Sequence, residues 1–350
     1  MTISIFENLW AFINVNNVLK NNYNIFYLIN IKYIIISIWF KIINNYNKNF
    51  LKFFIILLNI FLLYKKIRHK LRVCICTIGK LENLYVREFI EYYNKLRFDK
   101  IYIYDNNEIN GESFETVISD YIKKKYVEII NYRGYLQPQY KMMNSCYKMT
   151  YLKYDWIFFN DIDEFLYLKG FSNIKIFLNQ FKYNKCKIIH FNFVFYTDNN
   201  NLYYKNESVL RRFKEKSFKN KRYYGKSIIR GNIPGVNISQ PHYLTRKIKQ
   251  CNGFGKMSEP FIIDSEYYYV KHFSFKSTEE YCNKLNRGNV LFDNNYHKKL
   301  TKISQYFFYN KVTISKIIML ENRTGIKLDY LRNKLKNNKK FRNKKWNYIK

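Results

Sequence analysis

The sequence predicts an α/β domain built on a mostly parallel sheet, and three observations carry that reading. Between residues 71 and 159, short β-branched and aromatic runs alternate with amphipathic stretches. That is the βαβαβαβ order that sets strands side by side under helices on both faces. Hydrophobic residues make up 47% of the 350, and aromatics 20%, with 35 Tyr and 30 Phe. This is enough apolar material to fold most of the chain around a core, which excludes a largely disordered protein. Residues 1–70 depart from the alternation and read as a hydrophobic, helical extension ahead of it.

The elements follow in order. Residues 71–78 (LRVCICTI) form a buried strand. A helix over 82–95 places Val86, Phe89, Ile90 and Tyr93 on one face at the i, i+3, i+4, i+7 spacing. Residues 100–104 (KIYIY) make a second strand that ends at Asp105-Asn106-Asn107. Helix 112–123 leads to a third strand at 126–131, and helix 139–152 to a fourth at 156–159, which runs straight into Asn160-Asp161. Open sheets of this kind bind ligands beyond the carboxyl ends of their strands. Thr77, Asp105 with Asn106, and the segment Asn160 to Glu164 are therefore expected to converge on one cleft. Residues 196–260 are the least periodic, and their Gly and Pro mark turns in loops of the kind that carry specificity.

The chain carries 61 Lys+Arg against 26 Asp+Glu, a formal charge of +35. Such a charge implies attraction to polyanions, whether nucleic acid, an anionic membrane surface or phosphorylated small molecules. Residues 332–350 contribute nine Lys/Arg and no acid, so 301–350 reads as a basic helical tail after a 71–300 domain. Residues 23–43 and 50–64 are apolar but interrupted by Lys32, Lys41 and Lys52. Spanning, hairpin insertion, lying on a membrane surface and a buried helical extension all stay open. The basic cluster at 65–70 predicts membrane association with the rest of the chain cytoplasmic. The six cysteines read as reduced thiols, with Cys74 and Cys76 on one face of their strand.

Against so basic a background, the acids Asp161, Asp163 and Glu164 gather directly after a buried run. Asp161 and Asp163 at i, i+2 can face one cation, and hard ions such as Mg²⁺ and Mn²⁺ take carboxylate oxygens. A cation held there neutralises a departing diphosphate. The same spacing on a solvated loop would be inert.

The stretch DWIFFNDIDEFL at 155–166 resembles the signature of glycosyltransferase family 92 and its family-2-like relatives. Other segments agree in order: KLENLYVREFI at 80–90, IYDNN at 103–107, Arg133-Gly134 with Gln139 and Cys146, and VKHFSFKS at 270–277 through Lys284 and Arg287-Gly288. The match covers residues 71–290. It departs from the family pattern at Leu81, Tyr93 and Glu108.

The resemblance implies a GT-A fold, a UDP- or GDP-sugar donor, Mn²⁺ or Mg²⁺, a glycan or glycolipid acceptor, and inversion. It assigns Thr77, Glu82, Asp105 and Asn106 to the nucleoside, Asp161 and Asp163 to metal and diphosphate, and His272 to the metal. Lys276 and Arg287 are expected to balance diphosphate charge. A general base must deprotonate the acceptor hydroxyl. Glu164, Glu259, Asp264, Glu279 and His242 are candidates, and Glu164 can equally brace the acidic loop. Two other functions compete. A basic nucleic-acid-binding protein or Mg-dependent nuclease would use the charge and the aromatics, but no zinc-finger, RNP or KH pattern appears, and no specific nucleic acid is expected. The other is a transferase-like binding module without catalysis.

Overall fold

A computed structural model describes residues 71–135, 139–217, 224–242, 248, 250–257, 264, 266–287 and 296–337. The apolar segments within 23–64, the basic cluster at 65–70, Glu259 and the end of the basic tail lie outside the described residues. Among the described residues no helix is long and apolar enough to cross a membrane.

The predicted alternation is present. Strand β1 is Val73–Gly79, followed by α1 (Asn83–Lys95), β2 (Lys100–Asp105), α2 (Glu115–Lys123), β3 (Val127–Asn131), α3 (Gln139–Thr150) and β4 (Trp156–Phe159). Strands β1 to β4 run parallel, in the order β3-β2-β1-β4. Strand order reverses between β1 and β4, the switch point at which an open α/β sheet leaves a crevice.

The sheet continues beyond β4 through β7 (Gly225–Arg230), β6 (Ile188–Phe195), β9 (Tyr268–His272) and β5 (Glu164–Leu168), with β8 (Gln250–Asn252) beside β6. Here β4–β7, β6–β7 and β5–β9 are antiparallel, so the second half is mixed. Residues 160–163 thus carry the chain from the middle of the sheet to its far edge. Helices α4 (Ile174–Leu178), α5 (Val209–Arg212), α6 (Thr278–Arg287), α7 (Tyr296–Tyr309), α8 (Ile314–Thr324) and α9 (Asp329–Asn337) complete the described part.

The period-two alternation of β1 sorts its side chains onto two cores. Val73 and Ile75 join the larger cluster with Phe89, Tyr93, Trp156 and Phe158, while Cys74, Cys76 and Ile78 face Met142, Met143, Ile157 and Phe159. Helix α1 buries Val86, Phe89, Ile90 and Tyr93, the stripe read from spacing. The larger cluster also takes in Ile303, Tyr306, Ile317, Leu320 and Leu331 of α7 to α9.

The expectation of reduced cysteines is corrected. Cys76 is bonded to Cys146, tying β1 to α3, and Cys186 to Cys251; Cys74 and Cys282 are buried thiols. Each disulfide joins sulfurs more than 60 residues apart in sequence, a proximity that only the folded sheet creates.

Candidate active site at the strand ends

Gly79 closes β1, and the acidic hook passes directly over it. A Cβ there would lie 2.6 Å from Ile162 Cδ1 and 2.7 Å from the Phe114 ring, so any larger residue would force those side chains, and Ile162 of the hook with them, to shift. The hook is braced from beneath. The Asn160 side-chain amide donates to the Tyr93 hydroxyl and to the Glu164 carbonyl, each at 2.7 Å, while Tyr93 also receives the Leu166 N–H at 3.0 Å. Tyr93, a departure from the family pattern, therefore holds the turn that aims the acids.

The acids then separate by environment. The Asp161 side chain keeps 34% exposure and takes the Lys226 ammonium at 2.7 Å. Glu164, 1% exposed, accepts the Asp161 N–H at 2.9 Å and lies 3.5 Å from the same Lys226. Asp163 accepts from Lys284 at 2.7 Å. The His272 Nε2 stands 3.7 Å from Asp163 and 3.8 Å from Glu164, because β5 and β9 pair in register at Glu164 and His272.

Protonation follows these surroundings. Burial works to raise the Asp163 carboxyl, but Lys284, then His272 and Lys276, hold it well below the usual range. Glu164 goes the other way: burial, with the Asp161 and Asp163 charges, pushes it well above normal. Burial lowers His272 to about 3 against the pull of Asp163, so its imidazole is neutral. Lys226 stays charged, since Asp161 and Glu164 outweigh its burial.

Asp163, Glu164 and His272 each offer one ligand atom, and these atoms lie within 4.8 Å of one another. Two carboxylate oxygens and a neutral imidazole nitrogen suit a divalent ion such as Mn²⁺ or Mg²⁺. This donor set includes Glu164, whereas the sequence pointed to Asp161, Asp163 and His272. The Asp161 carboxylate sits beside the trio, on Lys226.

A cavity of about 510 Å³ opens next to the hook. It is walled by Leu81 and Glu82 from the β1–α1 connection, by Leu84 and Tyr85 of the first turn of α1, and by Ser274, Lys276, Glu279, Lys284 and Arg287 around α6. Arg287 donates to Glu82 at 2.6 Å and to the Lys80 carbonyl, while Lys276 lies 3.8 Å from Glu82 and over the Tyr85 ring. Lys284 belongs to both the cavity wall and the acid cluster.

The remaining expected residues divide. Thr77 is fully buried at the end of β1, and its hydroxyl has no partner among the described residues. Asp105 is buried against Arg133 at 2.6 Å and the Asn107 amide at 2.7 Å, and Asn106 donates to the Tyr132 and Tyr135 carbonyls. Both shape the loop after β2. Asp264 receives the backbone N–H groups of Glu266, Tyr267 and Tyr268. Glu279 receives the Tyr204 N–H and Arg323.

Lys226 was absent from the sequence reading. In a chain with so many lysines, a single one within GKSIIR carries no signal until β7 is placed beside β4. Arg212 and Glu280, paired at 2.7 Å, were invisible for the same reason.

Among solved structures, the chain resembles S. aureus TarS 1-349 in complex with UDP-GlcNAc. That match has 12% identity and a TM-score of 0.35, over 73% of this chain and 80% of that one. It also resembles the mannosyltransferase PcManGT of Pyrobaculum calidifontis in complex with GDP-Man and Mn²⁺, at 8% identity and a TM-score of 0.27, over 35% and 36%. Curated relatives are nearer in sequence. A glycosyltransferase family 92 protein of Oryza sativa subsp. japonica is 28% identical over 113 residues, covering 31% of this chain. One of Ricinus communis is 25% identical over 107 residues, covering 29%. The chain matches only 18% of the length of each of these relatives. The family model for glycosyltransferase family 92 matches residues 69–307, well over half the sequence and the whole of the strand-end site, and the chain belongs to that family.

Proposed function

We propose that this chain is a GT-A-type enzyme that transfers a sugar from a UDP- or GDP-sugar donor to a hydroxyl of a glycan or glycolipid acceptor, with inversion at the anomeric carbon. The observation that carries the reading is the junction at Lys284, where an acid cluster and a cation-walled cavity share one side chain. A nucleoside diphosphate needs both parts. Lys276, Lys284 and Arg287 offset its charge, and Glu82 holds Arg287 in place. Asp163, Glu164 and His272 would hold the metal, with Asp161 beside them. Mn²⁺ or Mg²⁺, when bound, supplies Lewis-acid neutralisation of the leaving diphosphate. Buried Thr77 and the Asp105–Asn106 loop form the nucleoside end.

Membrane association through residues 23–64, and attraction of basic segments to an anionic surface, belong to the same proposal. The two disulfides favour an oxidising compartment for the 71–337 part over the cytoplasmic one that the basic cluster at 65–70 suggests.

A thermal-shift screen of UDP- and GDP-sugars with and without Mn²⁺ tests the reading. A ligand at a hundred times its Kd adds about 2.7 kcal/mol of apparent stability. The expected result is a shift with one donor class that grows with Mn²⁺, and a fall in turnover of roughly a hundredfold or more in the double variant Asp161→Asn, Asp163→Asn. Undiminished turnover in that variant sinks the assignment.

The lysine partners of Asp161 and Asp163 favour a second reading, a module that binds nucleotide sugars without transferring them, because both acids already carry a counter-charge. Donor hydrolysis separates the two.

A further inference from the structure

An inverting transfer needs a base for the acceptor hydroxyl, and of the carboxylates named for it the three among the described residues are engaged. Glu164 takes the Asp161 N–H and Lys226, Glu279 takes Tyr204 and Arg323, and Asp264 takes three backbone N–H groups. His242 is different. Its Nδ1 lies 3.2 Å from the Gly225 carbonyl oxygen, which can only accept, so Nδ1 carries the hydrogen and Nε2 keeps its lone pair.

The Nε2 makes no hydrogen bond among the described residues. The position of the ring is set by the sheet. Gly225 begins β7, packed so tightly that a Cβ would lie 1.9 Å from the Phe191 carbonyl oxygen, and Ser227 of the same strand donates to the His242 carbonyl at 3.5 Å. The next residue along β7 is Lys226, which reaches Asp161 and Glu164. Phe193 lies against both imidazoles, 4.5 Å from His272 and 5.8 Å from His242 between ring centres. The bare nitrogen thus stands one aromatic ring from the acid cluster. The half-exposed Tyr224 flanks it at 5.3 Å, a face on which a sugar ring can rest.

We propose that His242 Nε2 is the general base of the transfer, at an acceptor subsite bordered by Tyr224. This rests on the transferase reading above. In the step, Nε2 takes the acceptor O–H proton as the acceptor oxygen bonds to the anomeric carbon. The bond from that carbon to the donor phosphate breaks, and its electron pair leaves with the phosphate oxygen. The imidazolium then returns its proton to water. Burial lowers this imidazole to about 4, with the Lys226 charge acting in the same direction, so it is neutral and ready at neutral pH.

The test uses the full chain with UDP- and GDP-sugars, water or a panel of methyl glycosides as acceptor, and nucleotide release as the readout. General bases contribute about 10² to 10⁴ in rate. His242→Gln is expected to lose at least a hundredfold in kcat while its thermal shift with donor stays at the wild-type value, and added imidazole is expected to restore part of the rate. His242→Asn provides a second variant should the first fold poorly. Wild-type kcat in either folded variant overturns the assignment of His242 alone. Wild-type protein that turns over no nucleotide sugar overturns the transferase reading and this assignment with it.

Discussion

Arg212 and Glu280 meet where neither has water to turn to: their side chains are 3% and 4% exposed, and two hydrogen bonds of 2.7 and 2.9 Å join them. Tyr85 and Ser277 complete the carboxylate's coordination. Burial alone would raise Glu280, but the bonds from Arg212, Ser277 and Tyr85 win and hold it at about 2 against a usual 4.5. A depressed carboxyl stabilises the fold fully above the unfolded value and loses that contribution as pH falls through the folded one. The window is therefore pH 4.5 down to about 2, and about 3 kcal/mol is at stake. Urea titrations across this range are expected to show acid destabilisation that flattens in Glu280→Gln. At neutral pH that variant is expected to lose about 3–5 kcal/mol, because Arg212 is left buried without its partner. Equal midpoints for the two proteins would remove the pair from the account. Nothing local announces such a pair, which joins residues 68 apart. Asp161 and Asp163 could be read because the strand that presents them and the acids themselves are one continuous segment.

At the scale of elements, period and order were legible, and partnership across the sheet was not. Alternation placed β1 to β4, and the right strand ends converged, because βαβ connections bring consecutive strands together. The antiparallel half follows no such rule: β5 finds β9 a hundred residues later, and that register alone puts His272 opposite Glu164. The disulfides failed for the same reason. Cys76 could be assigned a face, yet Cys146 reaches it only once α3 has crossed back over β1. Closing a loop of 70 residues restricts the unfolded chain by about 4 kcal/mol in the chain-entropy account. Dithiothreitol is expected to lower the unfolding midpoint, and Cys146→Ser is expected to remove much of that sensitivity. An unchanged midpoint on verified reduction would show that the bridge does not constrain this fold.

For the whole molecule, the charge of +35 draws attention to the carboxyl-terminal lysines and hides what lies among them. Read as composition, residues 301–350 are a basic tail. In the structure, Ile317, Leu320, Ile326, Leu328 and Leu331 enter the same core as β1 and β4. Their spacing was visible in principle, but Lys and Asn fill every gap between them. Lys316 shows how closely this part is joined to the rest, being 1% exposed and 2.6 Å from buried Asp198. Asp198 also accepts from Tyr306, whose ring stacks on Tyr281 of α6 at 4.6 Å. Helix α6 carries Lys284 and Arg287, so α8, which packs on α6 and carries α9 in turn, supports the cavity wall from behind. Deleting residues 311–350 uncovers Cys282, which lies against the Met319 carbonyl, and takes Lys316 from a buried carboxylate, a loss of about 3–5 kcal/mol from that charge alone. In a domain stable by about 5–15 kcal/mol this is decisive. The truncated protein is expected to show a broad, lowered thermal transition by circular dichroism and no thermal shift with a nucleotide sugar. A truncated chain that unfolds as cooperatively as the full one, at the same temperature, would reduce α8 and α9 to an appendage.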